Sequence, residues 1–178
     1  ERQAWFGCAC CPGNITRFMA SVPNYMYATQ GDDLYVNLYI QGDATLKTPN
    51  NVVKIRQTTR YPWDGKIVLN IQPEKTQEFA IRLRIPGWAQ DAPVPSGLYT
   101  FTDQAPDYQL TVNGKKQSAQ LIDGYATLVR SWQAGDEISL TFPMPVRRIQ
   151  ANAHVQDDQG KLAIERGPIV YCLEGKDQ

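Results

Sequence analysis

Leu34-Tyr35-Val36-Asn37-Leu38-Tyr39-Ile40 alternates between aliphatic and polar or aromatic side chains. Successive side chains of a strand point to opposite faces, so the stretch predicts a half-buried β-strand with its aliphatics inward. The chain ahead of it has a different period. Ile15, Phe18, Met19 and Val22 fall at i, i+3, i+4 and i+7, one face of a short helix, with Asn14 placed to cap its start. Pro23 stops or kinks that helix, because a helix-interior proline lacks a donor and clashes with the preceding turn. The change of period divides the chain into a helical segment, residues 1–27, and a β domain, residues 28–178.

Working outward from the first strand, similar runs cover 50–61, 66–72, 78–86, 108–113, 125–131, 137–142 and 162–173. Turn signals punctuate them: Pro62-Trp63-Asp64-Gly65, Asn113-Gly114, Asp123-Gly124, Gly135-Asp136 and Gly167-Pro168. Asn-Gly is the strongest short hairpin signal, since both residues tolerate the positive φ of a type I′ turn. About eight or nine strands with short turns and no intervening helix predict an antiparallel sandwich, not a parallel α/β sheet. Residues 89–107, rich in Pro, Asp and Ser, are expected to form one long loop.

Composition removes several function classes. Eighteen basic and eighteen acidic residues cancel, so the broad positive field of a nucleic-acid-binding protein is absent, and no polybasic run offers a membrane-surface patch. A mean hydropathy of -0.43, with no apolar stretch approaching the length of a span, argues against a transmembrane helix. A chain that opens on Glu1-Arg2-Gln3 reads as a piece of a longer polypeptide.

The four cysteines are unevenly placed: Cys8, Cys10 and Cys11 together, and Cys172 near the other end. Adjacent cysteines make a strained ring, and Cys-x-Cys is little better, which argues against structural disulfides within the cluster. Thiolates this close suit a soft or borderline cation such as Zn²⁺, which relieves their mutual repulsion. A helix start adds unpaired N–H groups and a dipole that stabilise negative charge, favouring a nucleophilic thiolate. Buried small hydrophobes and a redox pair are the other two readings of the same residues. His154 is the only histidine and no second cysteine pair follows, so a tetrahedral zinc site is not completed locally.

Phe6-Gly7-Cys8-Ala9-Cys10-Cys11-Pro12-Gly13-Asn14, Tyr61-Pro62-Trp63-Asp64-Gly65, Leu83-Arg84-Ile85-Pro86-Gly87-Trp88 and Glu165-Arg166-Gly167-Pro168-Ile169-Val170-Tyr171-Cys172-Leu173-Glu174 occur in this order. Together they resemble the bacterial β-L-arabinofuranosidases of glycoside hydrolase family 127 over essentially the whole chain. The resemblance implies a β-sandwich preceded by the last helical segment of an (α/α)6 catalytic barrel. It implies that Cys10 is the nucleophile, and that Cys10 and Cys11 are both thiolate ligands of one Zn²⁺. The implied partners are an arabinose-containing glycan and the remainder of the catalytic domain, which would carry the other two zinc ligands and the acid/base carboxylate. Gly13 stands where a second proline is common in the family, a departure that bears on the turn more than on the ligands.

The remaining candidates have bland readings. Trp63, Trp88 and Trp132 are expected to pack, against the sandwich core or a neighbouring domain, with Asp64 bonding its own turn. Tyr25, Tyr27, Tyr35 and Tyr39 are placed along the seam between helix and sandwich. Glu165 and Glu174 are read as strand-surface charges, His154 as a solvated loop residue and Cys172 as a buried thiol. Asn14-Ile15-Thr16 is a chance glycosylation match. A non-catalytic sandwich that buttresses the barrel or binds carbohydrate is the alternative to an enzyme fragment.

Overall fold

Aliphatic alternation reappears as alternating burial through most of the chain. The computed structural model describes residues 10–172. One helix, α1 (Cys10–Ser21), runs into a 3₁₀ turn at Val22–Tyr25 that holds Pro23, so the helix ends where the proline requires. Fifteen strands follow among the described residues: β1 (Tyr27–Gln30), β2 (Asp33–Val36), β3 (Gly42–Lys47), β4 (Val52–Thr59), β5 (Lys66–Pro73), β6 (Gln77–Arg84), β7 (Tyr99–Phe101), β8 (Gln109–Val112), β9 (Lys115–Lys116), β10 (Gln120–Ile122), β11 (Tyr125–Trp132), β12 (Asp136–Thr141), β13 (Val146–Ala151), β14 (Leu162–Arg166) and β15 (Ile169–Tyr171).

They form three sheets, ordered β1-β2-β6-β11-β10, β3-β4-β5-β12-β8-β9 and β15-β14-β13-β7. The first two supply one shared core. Leu34 and Val36 of β2, Ile81 and Leu83 of β6, and Leu128 of β11 join Ile55 of β4, Ile67, Leu69 and Ile71 of β5, and Ile138 and Leu140 of β12. Trp132 is fully enclosed there, and its indole N–H donates to the Phe79 carbonyl at 3.0 Å. The expected mainly β, antiparallel sandwich is what the chain forms, with one exception: β2 pairs with β6 in parallel. Parallel neighbours need a long crossover. Here β3, β4 and β5 of the second sheet provide it.

The alternation over residues 34–40 holds only halfway. Leu34 and Val36 are buried, but Leu38 and Ile40 are exposed while Tyr39 turns in. The Met26 carbonyl accepts from the N–H groups of both Asn37 and Leu38, at 2.8 and 3.4 Å, which breaks the ladder and reverses the faces. Buried Gln57 then takes over the freed carbonyls, its Nε2 donating to Leu38 and Ile40 at 3.2 and 2.6 Å. Tyr39, turned inward, donates its hydroxyl to the Arg84 carbonyl at 2.6 Å.

The turn readings hold. Asn113 and Gly114 have φ of 51° and 73°, and Asp123 and Gly124 have 50° and 80°, the double positive φ of type I′ hairpins. Gly65 is required for another reason. Its carbonyl accepts from Phe142 N at 3.0 Å, and a Cβ built on it would stand 1.9 Å from the Phe142 carbonyl oxygen. Gly65→Ala is expected to destabilise the chain by about 1–3 kcal/mol, read as a lower urea midpoint at unchanged slope.

The segment 89–107 is not one irregular loop. A 3₁₀ turn at Gly87–Gln90 opens it, and β7 lies within it, pairing with β13. The strand β13 has no counterpart among the expected runs. Flanking Pro143 and Pro145 and the pair Arg147-Arg148 hide its apolar alternation.

Candidate functional site

Cys10 and Cys11 sit in the first turn of α1, and both are exposed. Pro12 is tolerated one residue later because the first turn of a helix needs no intrahelical donor. Asn14 does not cap the helix. It lies inside α1, where its Nδ2 donates back to the Cys10 carbonyl at 2.9 Å and its Oδ1 accepts from Arg17 at 3.1 Å. Thr16 likewise donates to the Pro12 carbonyl at 2.8 Å. These short polar side chains, which compete for backbone groups elsewhere, here tie the cysteine-bearing turn to the next one.

The two sulfurs are 3.7 Å apart. A disulfide requires about 2.05 Å. Two thiolates on one tetrahedral zinc, each about 2.3 Å from the metal, lie roughly 3.8 Å from each other. The pair therefore fits two corners of a zinc tetrahedron. Among the described residues no group of three or more Cys, His, Asp or Glu side chains gathers as a metal site, so the pair alone does not complete one. Cys8 lies outside the described residues. The apolar face of α1 is uncovered: Ile15, Phe18 and Met19 are each more than half exposed, and the Phe18 ring meets exposed Tyr25 at 6.4 Å.

Several other expectations are corrected. Cys172, expected buried, is exposed just after β15. Trp63, expected to pack against the sandwich core or a neighbouring domain, does not enter the core: it is 66% exposed, and its carbonyl accepts from Arg166 at 3.0 Å. Asp64 does bond its own turn, accepting from Lys66 N at 3.2 Å. Trp88 and Trp132 are buried as expected, and His154 is exposed in its loop. Of the four seam tyrosines, only Tyr25 makes a ring contact with α1. Burial, and then Asp43, push the Tyr27 phenol up to about 12. Glu174 lies outside the described residues.

Glu165 is the clearest departure, because it is 6% exposed and not a surface charge. It pairs across strands with Arg147 of β13, itself 4% exposed. Arg147 is the centre of a cluster that sequence reasoning missed. Its Nε donates to Asp103 Oδ1 at 2.9 Å, Nη1 to the Trp88 carbonyl at 3.1 Å, and Nη2 to Asp91 Oδ1 at 2.7 Å and to the Asp103 carbonyl. The guanidinium lies 3.5 Å from the Phe101 ring centroid. Asp91 Oδ1 also accepts from Ala105 N at 2.7 Å, so one arginine gathers both ends of the 89–107 segment.

Burial raises the Glu165 carboxyl above its ordinary range, with Arg147 opposing. A carboxyl raised in the folded state adds stability that is complete below its unfolded value of about 4.3 and is lost as pH climbs through the folded one. Wild-type stability should therefore fall more steeply than that of Glu165→Gln as pH rises above about 4.3, measured by urea midpoints across a pH series.

The comparisons with known proteins agree with this fold. Residues 33–144 match the family model described as beta-L-arabinofuranosidase, GH127 middle domain, and residues 146–178 match the glycoside hydrolase family 127 C-terminal domain. A non-reducing end beta-L-arabinofuranosidase of Bifidobacterium longum subsp. longum is 38% identical over 99% of this chain and 25% of its own. A solved GH127 beta-arabinofuranosidase is 43% identical with a TM-score of 0.92, over 99% of this chain and 28% of its own. A GH127 beta-L-arabinofuranosidase from Geobacillus stearothermophilus T6 is 45% identical with a TM-score of 0.83, over 97% and 25%. The chain thus spans about a quarter of the length of these relatives. A family model covering more than half of the chain, a second covering its end, and likeness along nearly its full length lead to one assignment: the chain belongs to glycoside hydrolase family 127.

Proposed function

We propose that this chain is part of a retaining glycoside hydrolase that cleaves β-L-arabinofuranosides, and that it contributes the nucleophile and two thiolate ligands of a zinc site. In this reading residues 1–27 end the helical catalytic barrel and residues 28–178 form the sandwich domain that follows it. The observation that carries it is the 3.7 Å separation of the Cys10 and Cys11 sulfurs at the start of α1. Zinc, when bound, supplies the positive charge that keeps both thiols deprotonated and makes the sulfur a better leaving group.

Cys10 then attacks the anomeric carbon while a carboxylic acid elsewhere in the enzyme protonates the departing oxygen. The same carboxylate next activates water against the glycosyl–sulfur bond, and two inversions give net retention. Cys11 holds the second ligand position, and the Asn14 and Thr16 bonds fix the turn that presents both sulfurs. The exposed face of Ile15, Phe18 and Met19 on α1 is suited to packing against the rest of the barrel, as this reading requires of its last helical segment.

Metal analysis of the full-length enzyme tests the ligand assignment. About one zinc per chain is expected in the wild type and well under half that in Cys11→Ser, because removing a ligand weakens such a site severely. A full zinc complement in Cys11→Ser, or no metal in the wild type together with a readily formed disulfide, would sink it.

A further inference from the structure

Between the turn that follows β6 and the β14–β15 hairpin lies an open groove walled by Trp88, Pro93, Pro95 and Val170, with Arg84 and Glu165 also lining it. We propose that this groove, built without either cysteine, binds a neutral, hydroxyl-rich saccharide ring.

The carrying feature is the Glu165 carboxylate. The residue is 6% exposed overall, its carboxylate opens on the groove, and no described residue donates a hydrogen bond to it. The guanidinium that faces it does not serve it, because the hydrogen bonds of Arg147 go to Asp91, Asp103 and the Trp88 carbonyl. The acceptor capacity of Glu165 is therefore left for a donor that enters the groove, from a ligand or from solvent.

The charges select the ligand class. A cation is opposed by Arg84 in the same groove and by Arg147 behind Glu165. An anion is opposed by the carboxylate itself. A hydroxyl avoids both conflicts, donating to Glu165 and accepting from Arg84. The indole, the prolines and Val170 offer an apolar wall for the C–H face of a sugar ring. Burial, which raises the Glu165 carboxyl, points the same way by disfavouring the ion-pairing form.

Choosing a saccharide among hydroxylated ligands rests on the glycoside-hydrolase reading. The test therefore measures binding alone, and its failure leaves the Cys10 assignment standing. The 178-residue chain is titrated with methyl β-L-arabinofuranoside while the tryptophan indole N–H resonances are followed by NMR. The Trp88 signal should move saturably while that of Trp132, enclosed in the core, stays fixed. Glu165→Ala should weaken binding about tenfold or more. Val170→Arg should do the same by filling the groove from a position 65% exposed, where folding is not at risk. An unmoved Trp88 signal, unchanged affinity in Val170→Arg, or tighter binding of putrescine than of the glycoside would overturn the proposal.

Discussion

Cys10→Ser in the full-length enzyme should lower hydrolysis of an aryl β-L-arabinofuranoside by on the order of 10⁴–10⁶-fold, the scale seen when a covalent nucleophile is removed. That is about 5–8 kcal/mol of transition-state stabilisation. Serine is nearly isosteric and the position is exposed, so the fold should be untouched, and thermal unfolding of the variant should match the wild type. The loss is chemical: a hydroxyl is far less acidic than a thiol and does not yield a nucleophile under the same charge. The site needs more groups than the described residues bring together, so the isolated 178-residue chain should show no turnover. Release of arabinose by that chain, abolished by Cys10→Ser, would contradict the division of the site between this chain and the rest of the enzyme.

Arg147→Ala is expected to cost about 3–5 kcal/mol of stability, the range for removing one partner of a buried ion pair. The lower end is the better expectation. The Asp91 and Asp103 side chains are 46% and 52% exposed and regain water when the guanidinium leaves, whereas Arg147 is 4% exposed and loses every bond. The damage should be local before it is global, because this guanidinium gathers Asp91, Asp103 and Trp88 against the third sheet. Limited proteolysis should cut within 91–105 at protease levels that leave the wild type intact. Lysine at the position should recover less than half of the loss, since it cannot reproduce a planar fork serving three residues. A variant with wild-type urea midpoint and wild-type protease resistance would show that the cluster is incidental.

Legibility in the sequence followed the range of the interactions. The helix was readable from its 3.6-residue spacing and its proline stop, although it begins at Cys10 and not after Asn14, and the hairpins from Asn113-Gly114 and Asp123-Gly124. The long strands β4, β5, β6, β11 and β12 were readable from period two, with boundaries displaced by one or two residues. The strand β13 was not, because prolines and adjacent arginines conceal a face that only β7 and β14 define. The reversal at Asn37 was equally hidden, since it depends on Met26 and on a glutamine from another strand. At the candidate site the cysteines announced themselves by their clustering. Glu165 looked like a surface charge because nothing nearby in sequence reveals the arginine across the sheet that lies buried with it.

The sequence by itself determined the class of fold, the place where helix yields to sheet, and the adjacency of the two thiols at the helix start. Each is written in residues a few positions apart, where backbone preference and side-chain period act directly. Only the tertiary structure decided that β2 and β6 run parallel, that Arg147 holds the 89–107 segment in place, and that Glu165 is buried opposite that arginine. Those properties arise between residues tens of positions apart, and burial and partner choice exist only once the sheets have met.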